Sequence, residues 1–231
     1  NSFEVYNPYE ETIVGYATEH NVHDVKKIIE RTNKSKMGMD SNERSVFLRK
    51  VRSNLENKKA SFSKLITSES GLCIKQTQHE VSRTLETLEA SAEVAEEIED
   101  RPNTDVYLSK NTPIGSPTLE VITEPLELIA GITPFNHPLN LVAHKCSPAI
   151  AANSPMVLKP SEKTPLTAIK FLELLADSGL PSSFIGLATS KNPGTIVKTI
   201  VKSEKTKLVS FTGGYNVGMK IGKLLSDRRT P

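Results

Sequence analysis

The residues of this sequence that could bind a ligand or take part in a reaction fall in three short clusters of polar residues and glycines. Each cluster directly follows an apolar run. The clusters are residues 133–140 after the run 128–132, residues 159–162 after 156–158, and residues 212–214 after 207–211. In open α/β sheets, ligands bind outside the carboxyl ends of the strands, where the chain turns into helices. The spacing therefore predicts a nucleotide-binding site built from three turns.

Asn136 is the chemically distinctive residue of the first cluster, two residues before Pro138. An asparagine ahead of a helix that begins with proline is a common N-cap, and that role would explain it fully. A side-chain amide held near a helix N-terminus can instead donate a hydrogen bond to an oxygen that becomes negative during acyl transfer. The sequence leaves both interpretations open.

Lys159 and Glu162 form the second cluster. An acidic residue after the second strand of a nucleotide-binding unit typically accepts hydrogen bonds from ribose hydroxyls, and a nearby lysine can donate to the same sugar. The alternative is a solvated lysine–glutamate pair on a loop, which contributes little to stability. The position of the pair relative to the strand end decides between the two.

Gly213 and Gly214 follow Thr212 in the third cluster. Glycines at a strand-to-helix turn let a pyrophosphate approach the backbone N–H groups at the positive end of the helix, although a Gly-Gly pair is also an ordinary turn. The G-x-G-x-x-G fingerprint is absent from all three turns, which disfavours an ordinary Rossmann dehydrogenase.

The second half of the chain alternates predicted strands and helices. Strands are expected over residues 128–132, 156–158, 184–188 and 207–211, and helices are expected to begin near Pro138, Pro165, Pro193 and Tyr215. Thr164 and Asn192 precede two of these prolines as candidate N-caps. Strands joined by short loops to helices imply a parallel sheet with right-handed crossovers, so the predicted fold is α/β and Rossmann-like.

The first 100 residues show the apolar periodicity of amphipathic helices, with helices predicted over 41–70 and 79–99 and a shorter one around 25–29. Residues 101–117 are rich in proline and glycine and predict a linker or the entry to a hairpin, and Leu119, Val121 and Thr123 alternate with polar residues as in a strand. The expected organisation is a helical region (1–100), a hairpin segment (101–126) and a nucleotide-binding domain (127–231).

Composition narrows the class of protein. The 231 residues are 37% hydrophobic, enough for a real core, and the net charge of +2 favours neither nucleic acid nor an anionic membrane as a partner. No apolar run reaches the roughly 18 residues that span a bilayer, and the N-terminus has no signal-peptide pattern, so a cytoplasmic protein is expected. Cys73 and Cys146 lack metal-site spacing, which predicts two buried free thiols in a reducing compartment and no metal site.

The three motifs, in this order and spacing, resemble the aldehyde dehydrogenase superfamily, and the resemblance extends over nearly all 231 residues. Shorter segments that are similar to the family are Glu69-Ser70-Gly71, Glu80-Val81 and Ser178-Gly179-Leu180-Pro181. Residues 133–138, 143–145 and 211–214 are most similar to the phosphonoacetaldehyde and lactaldehyde dehydrogenase branch. The resemblance implies an aldehyde dehydrogenase-like fold with N-terminal helices, an oligomerisation hairpin and a cofactor-binding sheet.

The resemblance also implies a role for each motif. Asn136 would be the side-chain half of the oxyanion hole that holds the thiohemiacetal oxygen. His137 would face the polar group of the aldehyde, as in phosphonate-binding members, and a loop or core histidine is the alternative. Lys159 and Glu162 would hold the adenosine ribose of NAD or NADP, with NAD favoured because a carboxylate there repels a 2′-phosphate. The other expected cofactor contacts are Thr133, Pro134, Phe135, Ser161, Thr212, Gly213, Gly214 and Val217.

The sequence departs from the family's pattern at several positions. The family commonly has Ser or Thr where Gly214 stands and Gly where Ser190 stands, and phosphonate-specific members have an arginine on the helix that here carries Glu89. The family's nucleophilic cysteine and general-base glutamate both lie downstream of the third motif, past the last residue of this sequence. Neither Cys73 nor Cys146 has the flanking residues to replace that cysteine. A partial chain, inactive alone, is therefore expected.

In the whole enzyme, the resemblance implies oxidation of a small polar aldehyde, such as lactaldehyde or phosphonoacetaldehyde, to the carboxylate by a homodimer or homotetramer. His137 and His144 near Asn136 favour a short polar substrate, and Glu89, if it faces the pocket, favours a hydroxyl over an anion. The competing hypothesis is a truncated, non-catalytic paralogue that binds nucleotide or pairs with a full-length relative.

Overall fold

The computed structural model describes residues 1–100, 104–108, 118–122 and 124–226. The turn expected around Pro113 and the expected strand residue Thr123 lie outside these ranges. None of the described helices is both long enough and apolar enough to span a membrane.

An antiparallel hairpin that the sequence analysis did not predict begins the chain. It pairs β1 (Ser2–Tyr6) with β2 (Ile13–Thr18). Phe3 and Val5 alternate with polar residues and are buried, and Phe3 lies opposite Ala17 in the register. The period-two signal is present in the sequence, but it covers only two apolar positions and is easily missed.

The helical region contains α1 (Val22–Asn33), α2 (Ser41–Asn57), α3 (Lys59–Ser70) and α4 (Ile74–Asp100). The prediction of one helix over 41–70 is wrong, because the chain breaks at Lys58. The Lys58 N–H still donates to the Leu55 carbonyl at 3.0 Å, and the Phe62 N–H donates to the Lys58 carbonyl at 3.0 Å, so the break barely disturbs the apolar period. The helix α4 begins before the predicted residue 79 and buries Leu85, Leu88, Ala92 and Ala95 as predicted.

Two further strands, β3 (Thr104–Leu108) and β4 (Thr118–Ile122), pair antiparallel within the expected hairpin segment. A role of this hairpin in oligomerisation stays a prediction.

The central sheet is parallel, as predicted, and has the order β7-β6-β5-β8. Its strands are β5 (Ile129–Ile132), β6 (Met156–Lys159), β7 (Ile185–Leu187) and β8 (Leu208–Phe211), and the helices that follow them are α5 (Asn140–Ala151), α6 (Pro165–Ser178), α7 (Pro193–Val201) and α8 (Tyr215–Ser226). The chain moves from β5 through β6 to β7 and then returns to the other side of β5. The strand order therefore reverses beside β5, which is where open α/β sheets bind ligands.

Both faces of this sheet are covered, which explains why its strands appear in the sequence as continuous apolar runs. On β6, Met156 and Leu158 pack into the larger core with the helices α2, α4, α5 and α6. Val157, between them, points to the opposite face and packs with residues of α1 and α7. The alternation fixes the strand's register, because a slip of one residue would exchange the two faces.

Candidate functional site

The three predicted turns lie side by side at the carboxyl edge of the sheet. The strand ends are in register, with Ile132 opposite both Lys159 and Phe211. The hydrogen bonding continues one residue past the first and third strands: the Thr133 N–H donates to the Lys159 carbonyl at 3.2 Å, and the Thr212 N–H donates to the Ile132 carbonyl at 3.0 Å. The structure therefore brings together the three clusters that the sequence analysis selected.

The first turn contains Asn136 in an exposed position. Its side chain makes no hydrogen bond to any residue in the described part of the chain. Phe135 beside it is 48% exposed, Pro134 is half-buried, and Thr133 is buried with a hydroxyl oxygen that has no hydrogen-bond partner among the described residues. The amide of Asn136 is thus available to bind a ligand.

The N-cap interpretation of Asn136 is wrong, because α5 begins at Asn140, two residues after Pro138, and Leu139 occupies its N-cap position. The first turn of α5 is capped by a residue from another helix: one carboxylate oxygen of Glu80, Oε1, accepts from the N–H groups of Leu139 at 2.8 Å and Asn140 at 3.0 Å. Glu80 is buried. Because Glu80 satisfies these donors, Asn136 is not needed for capping.

The same replacement occurs at α6, where the predicted N-cap Thr164 makes no capping hydrogen bond. The buried carboxylate of Glu69 instead accepts from the N–H groups of Leu166 and Thr167, each at 2.8 Å. Burial raises the pKa of Glu69 to about 7, although the donors from Thr167 and Leu166 oppose that shift. The nearby carboxylate of Glu80 raises the pKa further.

At α7 the predicted N-cap Asn192 also makes no side-chain capping bond. Glu19 accepts from the Ser190 hydroxyl at 2.6 Å and from the Lys191 N–H at 2.8 Å, and the Ser190 oxygen accepts from the Asn192 N–H at 3.0 Å. Ser190 therefore has a structural role here. Three glutamates from the first 100 residues hold three successive turns of the sheet.

His137 lies between the site and the capping glutamate. Its Nδ1 is 3.5 Å from the Glu80 Oε2, and the two side chains are 41% and 1% exposed. His144, which the sequence analysis placed near Asn136, lies on α5 beside Thr87 of α4, with Nε2 3.4 Å from the Thr87 hydroxyl. Burial lowers the pKa of His144, and the positive charges of Arg83 and Lys145 lower it further.

Glu89 does not face the site. Its carboxylate oxygens lie 2.9 Å from Arg49 Nε and 3.4 Å from Arg52 Nε, both on α2. The expectation that Glu89 would favour a hydroxyl substrate therefore loses its structural basis. Glu89 belongs to the contact between α2 and α4.

The second turn contains an ion pair between Lys159 Nζ and Glu162 Oε2 at 3.1 Å. Lys159 is only 4% exposed, which argues against the alternative of a solvated loop pair. Burial lowers the pKa of Lys159, and Glu162 partly opposes this effect. Ser161 is buried, and its hydroxyl accepts from the Lys163 N–H at 3.2 Å. The Lys163 ammonium lies 4.6 Å from the centre of the Phe135 ring, so the first two turns are in contact.

The Phe211 ring explains one of the two glycines of the third turn, Gly213, and it also lies close to Gly218 in α8. A Cβ on Gly213 would lie 2.6 Å from Phe211 Cζ, and one on Gly218 would lie 3.2 Å from Phe211 Cε1. A Cβ on Gly214 would meet no atom within 4 Å, so the space above this residue is open. Thr212 is half-buried and Val217 is 47% exposed. No side chain in the described ranges accepts from the first turn of α8, unlike α5 and α6.

The two cysteines behave differently. Cys146 is buried in α5, as predicted, and burial raises the pKa of its thiol to about 12. The prediction that Cys73 is buried is wrong, since it is exposed just before α4. Among the described residues, no group of histidine, cysteine, aspartate and glutamate side chains could hold a metal ion.

The chain belongs to the aldehyde dehydrogenase family, whose model matches residues 1–231. An aspartate-semialdehyde dehydrogenase of Pseudomonas canavaninivorans is 35% identical over 225 residues, which is 95% of this chain and 46% of that protein. A lactaldehyde dehydrogenase of Methanococcus maripaludis is 36% identical over 229 residues, which is 95% of this chain and 47% of that protein.

Solved structures agree with this assignment. Glyceraldehyde-3-phosphate dehydrogenase from Methanocaldococcus jannaschii, crystallised with NADP, superposes with a TM-score of 0.84 at 28% identity and covers 96% of this chain and 48% of that one. The Rossmann-like aldehyde dehydrogenase fold is thereby confirmed. The chain spans about half the length of the relatives it matches.

Proposed function

We propose that the protein containing this chain oxidises a small polar aldehyde to the carboxylate with NAD or NADP, and that this chain supplies the cofactor site and one donor to the oxyanion. The observation that carries the proposal is the exposed amide of Asn136, which has no hydrogen-bond partner among the described residues and lies at the carboxyl edge of the sheet, beside the Lys159–Glu162 turn and the Gly213 turn. Two relatives that are each more than 30% identical are named aspartate-semialdehyde dehydrogenase and lactaldehyde dehydrogenase. Both of these aldehydes are small and polar, which supports the proposed substrate class.

The donors and acceptors at this edge fit a dinucleotide. Lys159 and Glu162 offer a cation and a carboxylate at the end of β6, a combination that suits ribose hydroxyls. The open space at Gly214 and the uncapped first turn of α8 suit a diphosphate, which binds backbone N–H groups at the positive end of a helix. The hydroxyl oxygen of Thr133, which has no hydrogen-bond partner within the described ranges, adds a polar group to the same edge. When bound, the nicotinamide ring of such a cofactor supplies the two-electron acceptor.

Asn136 has the properties required of an oxyanion donor. Its amide has no partner in the described structure, and the turn that holds it is tied to Glu80 through the N–H groups of Leu139 and Asn140. A donor held in place before the reaction stabilises negative charge on the substrate oxygen without reorganisation at the moment of reaction. The nucleophile and the base that complete the chemistry belong to the remainder of the protein.

His137 is the residue we assign to substrate recognition. Its side chain is 41% exposed, and among the described residues only Nδ1 of its two nitrogens has a polar partner nearby, the buried carboxylate of Glu80. The other nitrogen can bind a hydroxyl when the ring is neutral or an anionic group when it is protonated. A long aliphatic chain offers neither group.

The test compares lactaldehyde, phosphonoacetaldehyde, succinic semialdehyde and hexanal as substrates of the protein containing this chain, following NADH or NADPH formation. At least one polar aldehyde should exceed hexanal in kcat/KM, and His137→Ala should remove most of that preference. If hexanal were the best substrate and His137→Ala changed no kcat/KM, the assignment of the substrate class would be wrong. Absence of aldehyde-dependent reduction of either cofactor would contradict the proposal as a whole.

A further inference from the structure

The three glutamates that hold these turns, Glu80, Glu69 and Glu19, do not use their carboxylates in the same way. Glu69 binds one donor with each oxygen, Leu166 N–H with Oε2 and Thr167 N–H with Oε1. Glu19 likewise uses Oε1 for the Ser190 hydroxyl and Oε2 for the Lys191 N–H. In both cases a donor from the turn occupies each of the two carboxylate oxygens.

Glu80 differs, because a single oxygen does all of its capping. Its Oε1 accepts from the N–H groups of both Leu139 and Asn140. Its Oε2 is buried, makes no hydrogen bond within the described structure, and lies 3.5 Å from His137 Nδ1. The Nδ1 atom of His137 is also buried and has no other partner among the described residues. A buried carboxylate oxygen without a donor is costly, so this arrangement needs an explanation.

We propose that Glu80 is a positioning residue for the site. Its oxygen Oε2 holds the His137 ring with Nδ1–H directed at Glu80, and Nε2 of the ring then faces the substrate. The inference rests on the proposed function for its role in catalysis, but the Glu80–His137 arrangement can be measured without it. A carboxylate can only accept hydrogen bonds, so it selects the ring form in which Nδ1 carries the proton. A neutral ring carries one proton, so a hydrogen bond from Nδ1–H leaves Nε2 without a proton.

The same carboxylate ties this ring to the oxyanion donor. Oε1 fixes the backbone at residues 139 and 140, and Oε2 faces the ring at residue 137, so Glu80 contacts both ends of the segment that follows Asn136. A neutral ring in this form presents the Nε2 lone pair and suits a substrate hydroxyl. A protonated ring presents Nε2–H and suits a carboxylate or phosphonate. In either state the same nitrogen meets the substrate.

The first test measures the ring form of His137 directly. In the protein containing this chain, labelled with ¹⁵N at histidine, long-range ¹H–¹⁵N spectra above pH 8 should show the Nδ1–H form for His137, identified by its loss in His137→Ala. Glu80→Gln keeps an oxygen for the backbone N–H groups and can turn an amide donor toward Nδ1, so the Nε2–H form should then predominate. Glu69→Gln, which removes another buried capping carboxylate, should leave the ring form of His137 unchanged. An Nε2–H form in the unmutated protein would overturn the proposal, and that result needs no variant to fold.

The second test is a double-mutant cycle on kcat/KM with the best polar aldehyde. Glu80→Gln should lower kcat/KM by about 10- to 100-fold, the range found when a group that orients a metal-bound histidine is removed. The affinity for NAD or NADP should change by less than about twofold, because the hydrogen bonds and ion pair of Glu80 in the described structure go to Leu139, Asn140 and His137 and not to the second or third turn. In the His137→Ala background, Glu80→Gln should cause a clearly smaller loss.

Equal losses in both backgrounds would mean that Glu80 acts only as a cap and would overturn its role through His137. If the unmutated protein oxidised no aldehyde, the proposed function would fail, while the ring form of His137 would still decide the Glu80–His137 arrangement.

Discussion

Glu69 provides a quantitative test of the capping scheme, because its buried carboxylate has a pKa of about 7 instead of the ordinary 4.5. Below pH 4.5 the side chain is protonated in both the folded and the unfolded protein. Between pH 4.5 and 7 the folded protein retains the proton and the unfolded chain releases it, so the free energy of unfolding falls as the pH rises. Above pH 7 both states are ionised and the effect is complete.

The expected size follows from the two pKa values. At about 1.4 kcal/mol per pH unit, the interval from 4.5 to about 7 corresponds to roughly 3 kcal/mol of lost stability. Glutamine at this position cannot ionise and keeps an oxygen for the backbone donors. Glu69→Gln should therefore gain stability relative to the unmutated protein as the pH rises from 4.5 to 8, by about 3 kcal/mol in total.

Urea unfolding of both proteins at intervals between pH 4.5 and 8 measures this difference. Glu173→Gln, at an exposed position of α6, the helix that Glu69 caps, is the control for the loss of a charge as such. A stability difference between Glu69→Gln and the unmutated protein that stayed constant across this range would refute the reasoning. It would mean that the Glu69 carboxylate is ionised at low pH and that its two N–H donors outweigh its burial.

Two further predictions concern the cofactor turns. Gly213→Ala places a Cβ 2.6 Å from the Phe211 ring and should destabilise the protein by about 1–3 kcal/mol, whereas the Cβ of Gly214→Ala meets nothing within 4 Å and should cost less than about 1 kcal/mol. Thermal unfolding without cofactor measures the stability of both variants. Equal losses would show that the Phe211 ring does not require a glycine at position 213. Glu162→Gln should reduce the preference for NAD over NADP in kcat/KM by up to about tenfold, since it removes a carboxylate beside the ribose. The starting preference should be modest, because Lys159 already pairs with Glu162. An unchanged ratio of the two kcat/KM values would place Glu162 away from the 2′ position.

The fold could be predicted from the sequence where the signal is local and long. The strands β5 and β6 are buried on both faces and appear as continuous apolar runs, and the prolines at 165 and 193 mark the starts of α6 and α7. The break at Lys58 could not be predicted, because a one-residue interruption leaves the apolar spacing of the two helices nearly intact. The hairpin β1–β2 was missed because its first strand has only two buried apolar residues, which is too short a pattern to indicate a strand.

The candidate site was predictable in position but not in its supporting contacts. The three turns could be found because each follows an apolar run and the strand ends of a parallel sheet meet at one edge. The N-cap predictions for Thr164 and Asn192 failed because Glu69 and Glu19 satisfy the neighbouring donors from positions far away in the sequence. No local pattern reveals such a pairing. Whether Glu89 faces the pocket could not be decided from the sequence for the same reason, since its partners Arg49 and Arg52 lie on another helix.

The central claim is that Asn136 is an oxyanion donor in an NAD(P)-dependent aldehyde dehydrogenase. The most direct measurement is kcat/KM for the best polar aldehyde with Asn136→Ala in the protein containing this chain, together with the dissociation constant of the preferred nicotinamide cofactor. Loss of one such donor should lower kcat/KM by about 100- to 1,000-fold, while cofactor affinity changes by less than about twofold. An aldehyde oxidation rate within about threefold of the unmutated protein would contradict the account.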